Sequence, residues 1–502
     1  MRIRQFVVDG LGHLSTLIAD DSRGVAAVVD PRRDVDVYLA AAREADVRIT
    51  DVVETHLHND YVSGARELAQ VTGARHRIGA GAELRYESAP LRNGESFDVG
   101  RLRFTALDTP GHTPEHVSYA VADTSRADEP ALLFSGGSLL VGAVGRTDLL
   151  GEENAIPFAR AMFRSLHEVI LPHEDHVAVF PTHGAGSLCS TGIASTPWST
   201  LGYERRHNRM LRPTEIEAFI RVLLGRQPAF PRYFARMRPL NQAGPPILGG
   251  VPGPRALDLA EVDRALARDG LVVDLRRPGE YAVGHIPGSI SLPVGPSFGT
   301  WLGWVVEPDR PLVLILPRAG DWEEAARQAM RIGYESAVAG HVAGGFGRWA
   351  DDGRPIESSP RLTVAELAAA LDRGGDNAPL VIDVRQVTEF VAGHVPGSVH
   401  IGAGELPQRL EDLPRNRPIA TICQSGYRSA IAASLLLRAG FSNAIWVATG
   451  LPAWRGQGFR VERGDAGPHR AQDSEDTGAD ADPAGREARP AGAEEPATLH
   501  GH

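Results

Sequence analysis

Residues 55–60 read Thr-His-Leu-His-Asn-Asp and follow the apolar pair Val52-Val53, which reads as the end of a buried strand. Two histidines two residues apart, with an aspartate two further on, have the spacing of metal ligands. His56 and His58 leave the strand end on the same side, and Asp60 can turn toward a neighbouring position. Three more histidines stand in suitable surroundings: His112 in Thr-Pro-Gly-His-Thr-Pro, His116 four residues on, and His183 in Phe-Pro-Thr-His-Gly. A polar loop with two solvated imidazoles needs no such company. The stretch predicts a metal site at a strand-to-loop turn.

Working outward, residues 6–8, 15–18 and 25–30 read as successive strands, 35–44 as a helix and 49–54 as the next strand. A second strand series runs from 96 to 121 and again over 132–134. Helical pattern follows at 155–170 and 214–224. This region resembles the metallo-β-lactamase superfamily, whose signature is T-H-x-H-x-D-H with two later histidines and a bridging aspartate. The resemblance implies an α/β fold, a four-layer αββα sandwich over residues 1–242.

Residues 243–254, Ala-Gly-Pro-Pro-Ile-Leu-Gly-Gly-Val-Pro-Gly-Pro, form a Pro/Gly-rich linker. Beyond it the chain repeats itself. The stretch from Leu271 to Arg276 matches that from Val381 to Arg385, and Gly284-His-Ile-Pro-Gly-Ser matches Gly393-His-Val-Pro-Gly-Ser. Each unit, 255–357 and 360–464, alternates short apolar strands with helices and so predicts a small α/β domain with a largely parallel sheet. Residues 465–502 carry almost no large apolar side chains and predict a disordered acidic tail, because they cannot bury enough surface to offset ordering entropy.

In the second repeat a strand at 418–422 runs into Cys423-Gln-Ser-Gly-Tyr-Arg-Ser and then a helical pattern. A cysteine between a strand and a helix N-terminus sits where backbone N–H groups converge, which lowers a thiol pKa and cradles an anion. Arg428 and Ser429 add a charge and a hydroxyl, so Cys423, Arg428 and Ser429 are the candidate catalytic residues. Gln424, Ser425, Gly426 and Tyr427 complete the substrate cradle. The unit resembles the rhodanese family, with its Asp-x-Arg strand end, Gly-His-x-Pro-Gly segment and C-x4-R loop. The resemblance implies that Cys423 takes sulfane sulfur as a persulfide and hands it to a second thiophile. Asp383, Arg385 and His394 fall in matching motifs and are expected to brace the fold. In the first repeat Leu316 stands where Cys423 does and Asp321 where Arg428 does. That domain is rhodanese-like but cannot carry sulfur, and a scaffold or docking role is expected of it.

A sulfur-carrying domain beside a metallo-β-lactamase-like one resembles the persulfide dioxygenase–rhodanese fusions. Their motifs are recognisable in Thr109-Pro-Gly-His-Thr-Pro, in Gly145-Arg-Thr-Asp and in Pro181-Thr-His. The resemblance implies one iron(II) held by two histidines and an aspartate, with His56 and His112 as the histidines and Arg146 near the thiol substrate. The aspartate does not carry over, because Gly137 stands in its place. Tyr61 likewise replaces the last histidine of the signature, which weighs against a two-metal hydrolase. The remaining candidate shell is His56, His58 and His112, with Asp60, His183 or Tyr61 nearby. One divalent metal is expected, iron(II) favoured and zinc compatible. Replacing Gly137 by aspartate is expected to tighten metal binding unless the backbone there has positive φ. Cys189 reads as a packed small residue.

The 502 residues suggest about three domains. A net charge of −11 with no basic stripe excludes nucleic acid as an expected partner. The first residues lack a signal-peptide core, no apolar stretch is long enough to span a bilayer, and the only cysteines are Cys189 and Cys423, so a cytoplasmic protein is expected. Lysine is absent, which excludes Schiff-base chemistry and a P-loop. The expected partners are a small thiol persulfide, sulfite and thiosulfate, and the resemblance adds a homodimer. Two alternatives stay open: a metal-dependent thioester-type hydrolase with a sulfurtransferase partner domain, and a sulfur carrier whose first two domains only position Cys423.

Overall fold

The computed structural model describes residues 1–225, 227–375 and 377–464; the tail expected to be disordered, 465–502, lies outside them. The N-terminal region builds two six-stranded sheets. In the first, Arg2–Val8, His13–Asp20, Val25–Val29, Arg48–Val53, Arg75–Gly79 and Ala89–Leu91 lie in chain order. The second runs Ser199–Thr200, Ala178–Pro181, Leu132–Gly136, Val117–Asp123, Leu102–Asp108, Ser96–Val99.

Strand periodicity sorts residues into layers. Along Val25–Val29, Ala27 and Val29 join Phe104, Tyr119 and Phe134 between the sheets. Ala26 and Val28 join Tyr38 and Leu68 of the outer helices Asp36–Ala45 and Ala65–Thr72. On the opposite side Met162, Leu166 and Phe219, from helical segments between 152 and 224, cover the second sheet. This is the αββα sandwich expected.

The two repeats fold as five-stranded sheets paired in parallel throughout. One is ordered Ala256–Leu257, Val338–Val342, Leu312–Ile315, Leu271–Asp274, Ile290–Ser291, and the other Arg361–Leu362, Ala444–Gly450, Ile419–Cys423, Leu380–Asp383, Val399–His400. Their registers superpose: Asp274 pairs with Ile315, and Asp383 with Ile422. Leu316 therefore occupies the strand-end position of Cys423. Among the described residues no helix is long and apolar enough to cross a membrane.

The Pro/Gly linker is pinned to the first domain: the backbone amides of Leu248 and Gly249 donate to the Glu67 carboxylate at 3.1 and 2.9 Å. The middle domain grips both neighbours. Arg331 donates to Asp34 at 2.9 and 2.6 Å, and its carbonyl accepts the Val62 amide at 2.7 Å. On the other side Tyr427 donates to the Pro293 carbonyl at 3.1 Å, and the Ser291 amide to Ser434 Oγ at 3.0 Å.

Asp34 is fully buried among Arg32, Arg327 and Arg331. Asp34→Ala would strand the buried Arg331 guanidinium and is expected to cost about 3–5 kcal/mol in a urea unfolding experiment. Burial pushes the Asp34 carboxyl up, but hydrogen bonds and charge from Arg331 outweigh it and hold it below 3.8. A depressed folded-state pKa gives stability that is present above 3.8 and lost as pH falls through the folded value.

Candidate metal centre and sulfur site

The loop after strand Arg48–Val53 carries the histidines, and distant residues fix its path. Asp30 Oδ1 accepts the Thr55 amide at 2.8 Å, Glu115 accepts the Leu57 amide at 3.0 Å, and the Tyr233 hydroxyl donates to the Asp60 carbonyl at 2.7 Å. Asn241 Nδ2 donates to the carbonyls of His58 and Tyr61 at 2.9 and 3.0 Å.

Within this frame His56, His112 and His183 converge, with ring centroids 5.0 to 5.5 Å apart and one nitrogen of each within 4.8 Å of the others. Of the expected residues, His58 lies beside this group, its ring centroid 4.3 Å from that of His56. His58 turns to the acids behind the site, its Nε2 lying 3.3 Å from Asp30 Oδ1 and 3.7 Å from Glu54 Oε1, and its ring stacks on Tyr61. His183, expected nearby, joins His56 and His112. Asp60 faces His183 Nδ1 at 3.3 Å, with Cys189 beside both.

The outer nitrogen of two members is held in the way that orients metal-binding imidazoles. His56 Nδ1 lies 2.8 Å from Thr55 Oγ1, and His112 Nδ1 lies 2.8 Å from the Arg146 carbonyl. The Nε2 atoms of all three rings have no hydrogen-bond partner although the residues are at most 1% exposed. Such orphaned buried atoms cost about 1–3 kcal/mol each, and one cation would satisfy all three. Burial, reinforced by neighbouring imidazoles, holds His56 well below its ordinary pKa and pushes His112 down to about 3. Burial lowers His183 too, but Cys189 and Asp60 outweigh it and hold it above its ordinary value, so it sheds a proton to join the others in the neutral form that ligates. The donor set fits a metal.

Gly137 is not an open corner. Its φ is not positive, yet a Cβ there would lie 2.2 Å from His112 Cδ2, and its amide donates to His116 Nε2 at 2.9 Å. The His112 ring fills the space a carboxylate would need, so the expected gain from aspartate is corrected. Gly137→Asp is expected to displace His112 and lower the metal bound per chain, read by elemental analysis of purified protein.

Arg146, expected near the thiol substrate, is buried and engaged. It clamps Asp148 through Nε and Nη2 at 2.6 and 2.7 Å, and Nη1 donates to the carbonyls of Leu188 and Pro228 at 3.0 and 2.9 Å. It borders a cleft of about 470 Å³ whose other walls include Phe230, Trp304, Gln386 and His400.

At the sulfur site, strand Ile419–Cys423 delivers a fully buried Cys423, and helix Tyr427–Arg438 starts four residues later. Gly426, at φ 94°, turns its amide onto Cys423 Sγ at 3.2 Å; a Cβ there would meet the Ala448 carbonyl at 2.6 Å, so glycine is required. Ser429 Oγ lies 3.7 Å from the sulfur and donates to the carbonyls of Gly426 and Val447. Gln424 and Ser425 are exposed, at the mouth. Arg428 is held by Glu389 through two bonds of 2.6 and 2.8 Å. Burial raises the Glu389 carboxyl, but Arg428 outweighs it and holds it below its usual range. The expected bracing role holds for the other motif residues: Arg385 forks onto Asp383 and the Gly393 carbonyl, and His394 stacks on Phe390 at 3.8 Å.

Around Leu316 the cradle is absent. The following helix, Trp322–Arg331, starts six residues on, and Asp321 accepts from the Arg318 amide at 3.0 Å and its guanidinium at 3.1 Å. Leu316→Cys in a Cys423→Ser background is therefore expected to give no thiosulfate:cyanide transfer, because the new thiol meets no converging amides and no free cation. Brisk transfer would refute that account.

Comparison with known proteins agrees with this architecture. The metallo-beta-lactamase superfamily model matches residues 8–192, and the rhodanese-like domain model matches 258–352 and 363–457. A metallo-beta-lactamase structure from Staphylococcus aureus subsp. aureus COL is similar at 32% identity and a TM-score of 0.62, over 68% of this chain and 98% of that one. A hydroxyacylglutathione hydrolase of Pseudomonas putida F1 is 31% identical over 219 residues, 40% of this chain and 82% of that protein. ETHE1 from Myxococcus xanthus is 27% identical with a TM-score of 0.42, over 48% of this chain and 99% of that one. The chain belongs to the metallo-β-lactamase superfamily and carries two rhodanese-like domains behind that fold.

Proposed function

We propose that the protein is a sulfur-metabolism enzyme whose N-terminal centre oxidises the persulfide of a small thiol at one metal, while Cys423 moves sulfane sulfur. One observation carries this reading: a single three-imidazole set with no bridging carboxylate shares a chain with a rhodanese-type cysteine loop. The absence of that carboxylate, whose place the His112 ring occupies, weighs against a two-metal hydrolase.

His56, His112 and His183 would hold the metal. A ferrous ion, when bound, supplies electrons for dioxygen; zinc supplies Lewis acidity alone. The rest is done by this chain. Thr55 and the Arg146 carbonyl fix two rings, and burial of the cluster excludes water. A persulfide anion, dioxygen and water give thiol, sulfite dianion and one proton. A persulfide on Cys423 then passes its outer sulfur to sulfite, forming thiosulfate and regenerating the thiolate, with the Gly426 amide facing the sulfur throughout.

A second reading, metal-dependent hydrolysis of a thioester, is favoured by the hydroxyacylglutathione hydrolase relative. Metal content of protein purified without oxygen, with oxygen uptake on adding a small-thiol persulfide, separates the readings. Iron with uptake supports the oxygenase. Zinc with thioester cleavage moves the assignment to the hydrolase, and a site that takes no metal leaves only the carrier role of Cys423.

A further inference from the structure

Loading Cys423 brings a thiolate against a sulfur donor, and donors differ in charge. Thiosulfate gathers a dianion and an anion in one cradle, whereas a protonated persulfide adds no charge at its sulfurs. Arg428 is the one charged residue between Cys423 and Ser429, so it is the cation of the loop that could offset a dianion. It is not free. Glu389 takes both ends of its fork, Nη1 donating to Oε2 at 2.6 Å and Nη2 to Oε1 at 2.8 Å, in a partly buried bidentate pair. Arg385, at the neighbouring strand end, is engaged likewise by Asp383 and the Gly393 carbonyl. The groups nearest the sulfur are uncharged: the Gly426 amide at 3.2 Å and Ser429 Oγ at 3.7 Å. Helix capping does not account for the Glu389–Arg428 pair. Glu389 accepts the Gln386 amide at 3.1 Å, and in the first repeat Glu280 accepts the Arg277 amide at 3.0 Å although Asp321 stands where Arg428 does. The acid serves its helix in both repeats, and it meets a loop arginine where there is a cysteine to load.

We propose that Glu389 is a specificity-determining residue: by neutralising Arg428 it sets Cys423 to take sulfur from a small-thiol persulfide in preference to thiosulfate. This rests on the reading of Cys423 as a sulfane-sulfur carrier. In loading, the Cys423 thiolate attacks the outer sulfur of R–S–SH. A new sulfur–sulfur bond forms, the old one breaks, its electron pair leaves on RS⁻, and the proton stays on the transferred sulfur. A single negative charge is present throughout, so no further cation is needed. Thiosulfate would instead place its dianion beside the thiolate, in a partly buried cradle where like charges repel more strongly than in water. Glu389 cancels the cation that could offset them. A weak hold on thiosulfate also suits a site that releases it as the product of transfer to sulfite.

The test mixes reduced full-length protein with thiosulfate or with glutathione persulfide and follows the Cys423 persulfide by mass spectrometry of quenched samples. Loading rate constants at low donor concentration give a persulfide-to-thiosulfate ratio. Glu389→Gln keeps an acceptor for the Gln386 amide but removes the charge. It should lower that ratio roughly tenfold by speeding thiosulfate loading, the worth of one charge-assisted hydrogen bond to the dianion. Added salt should reverse the gain, and Arg428→Met in the Glu389→Gln background should abolish it. If Glu389 only aims Arg428 at the substrate, thiosulfate loading falls instead and the ratio rises. An unchanged or raised ratio in Glu389→Gln overturns the proposal, as does a gain that survives loss of Arg428. Should the variant not fold, the parent decides: thiosulfate loading that weakens severalfold on adding salt reveals an unneutralised cation and overturns the proposal, and loading that salt does not weaken upholds it. A parent that loads from neither donor overturns the carrier reading itself, and this inference with it.

Discussion

Cys423→Ser is expected to reduce thiosulfate:cyanide sulfur transfer to background while leaving fold and metal content unchanged. The sulfur is fully buried at a strand end, faced by the Gly426 amide at 3.2 Å and Ser429 Oγ at 3.7 Å. A hydroxyl fits that space, and the bonds Ser429 makes to the Gly426 and Val447 carbonyls do not involve the sulfur. The substitution should therefore shift stability by less than about 1 kcal/mol. Chemistry fails because an alcohol is a far weaker nucleophile than a thiolate and forms no persulfide. Thiocyanate formation is the measurement. A rate near that of the parent would send the activity to Cys189, the one other thiol, which lies in a different domain against His183 and Asp60.

The fold was legible wherever its signals are local. Alternation in residues 25–30 set the layers of the sandwich, and the paired Gly-His-x-Pro-Gly segments announced two copies of one sheet. The Cys423 loop was equally readable, since its strand, glycine turn and helix are contiguous. The metal centre was legible only in part. Spacing places His56 and His58 together, but which of them faces inward depends on a loop held by Asn241, Tyr233 and the Arg331 carbonyl, between 170 and 275 residues away along the chain. Arg146 is expected near the thiol substrate from its motif alone, and the carbonyls of Leu188 and Pro228 that occupy it carry no sequence signal. Cys189 had one available hint, its six-residue distance from His183. The middle domain, which lacks that cysteine and arginine, supplies the Arg331 contacts to Asp34 and Val62 on one side and the Pro293 and Ser291 contacts to the helix that follows Cys423 on the other.

The separateness of the two centres gives the second large expected effect. His112→Ala should empty the metal site and stop oxygen consumption with persulfide, yet leave Cys423-dependent transfer intact. His112 is one of three converging imidazoles, each contributing a single unpartnered Nε2, so its loss leaves two donors where stable sites of this kind use three or four. Its ring also fills the space over Gly137 and takes the Arg146 carbonyl. Alanine cannot restore either contact, and the small cavity should destabilise the first domain by about 2–4 kcal/mol, seen as a lowered unfolding midpoint. Sulfur transfer should not follow it down, because the Cys423 loop is built from residues 419–438 on its own parallel sheet and is buttressed by the middle domain. The hydrolase reading predicts the same metal loss with thioester cleavage as the vanished activity, so the experiment tests the ligand set whichever reaction runs there. A His112→Ala protein that keeps its metal and its N-terminal activity would remove His112 from the centre and with it the three-imidazole assignment.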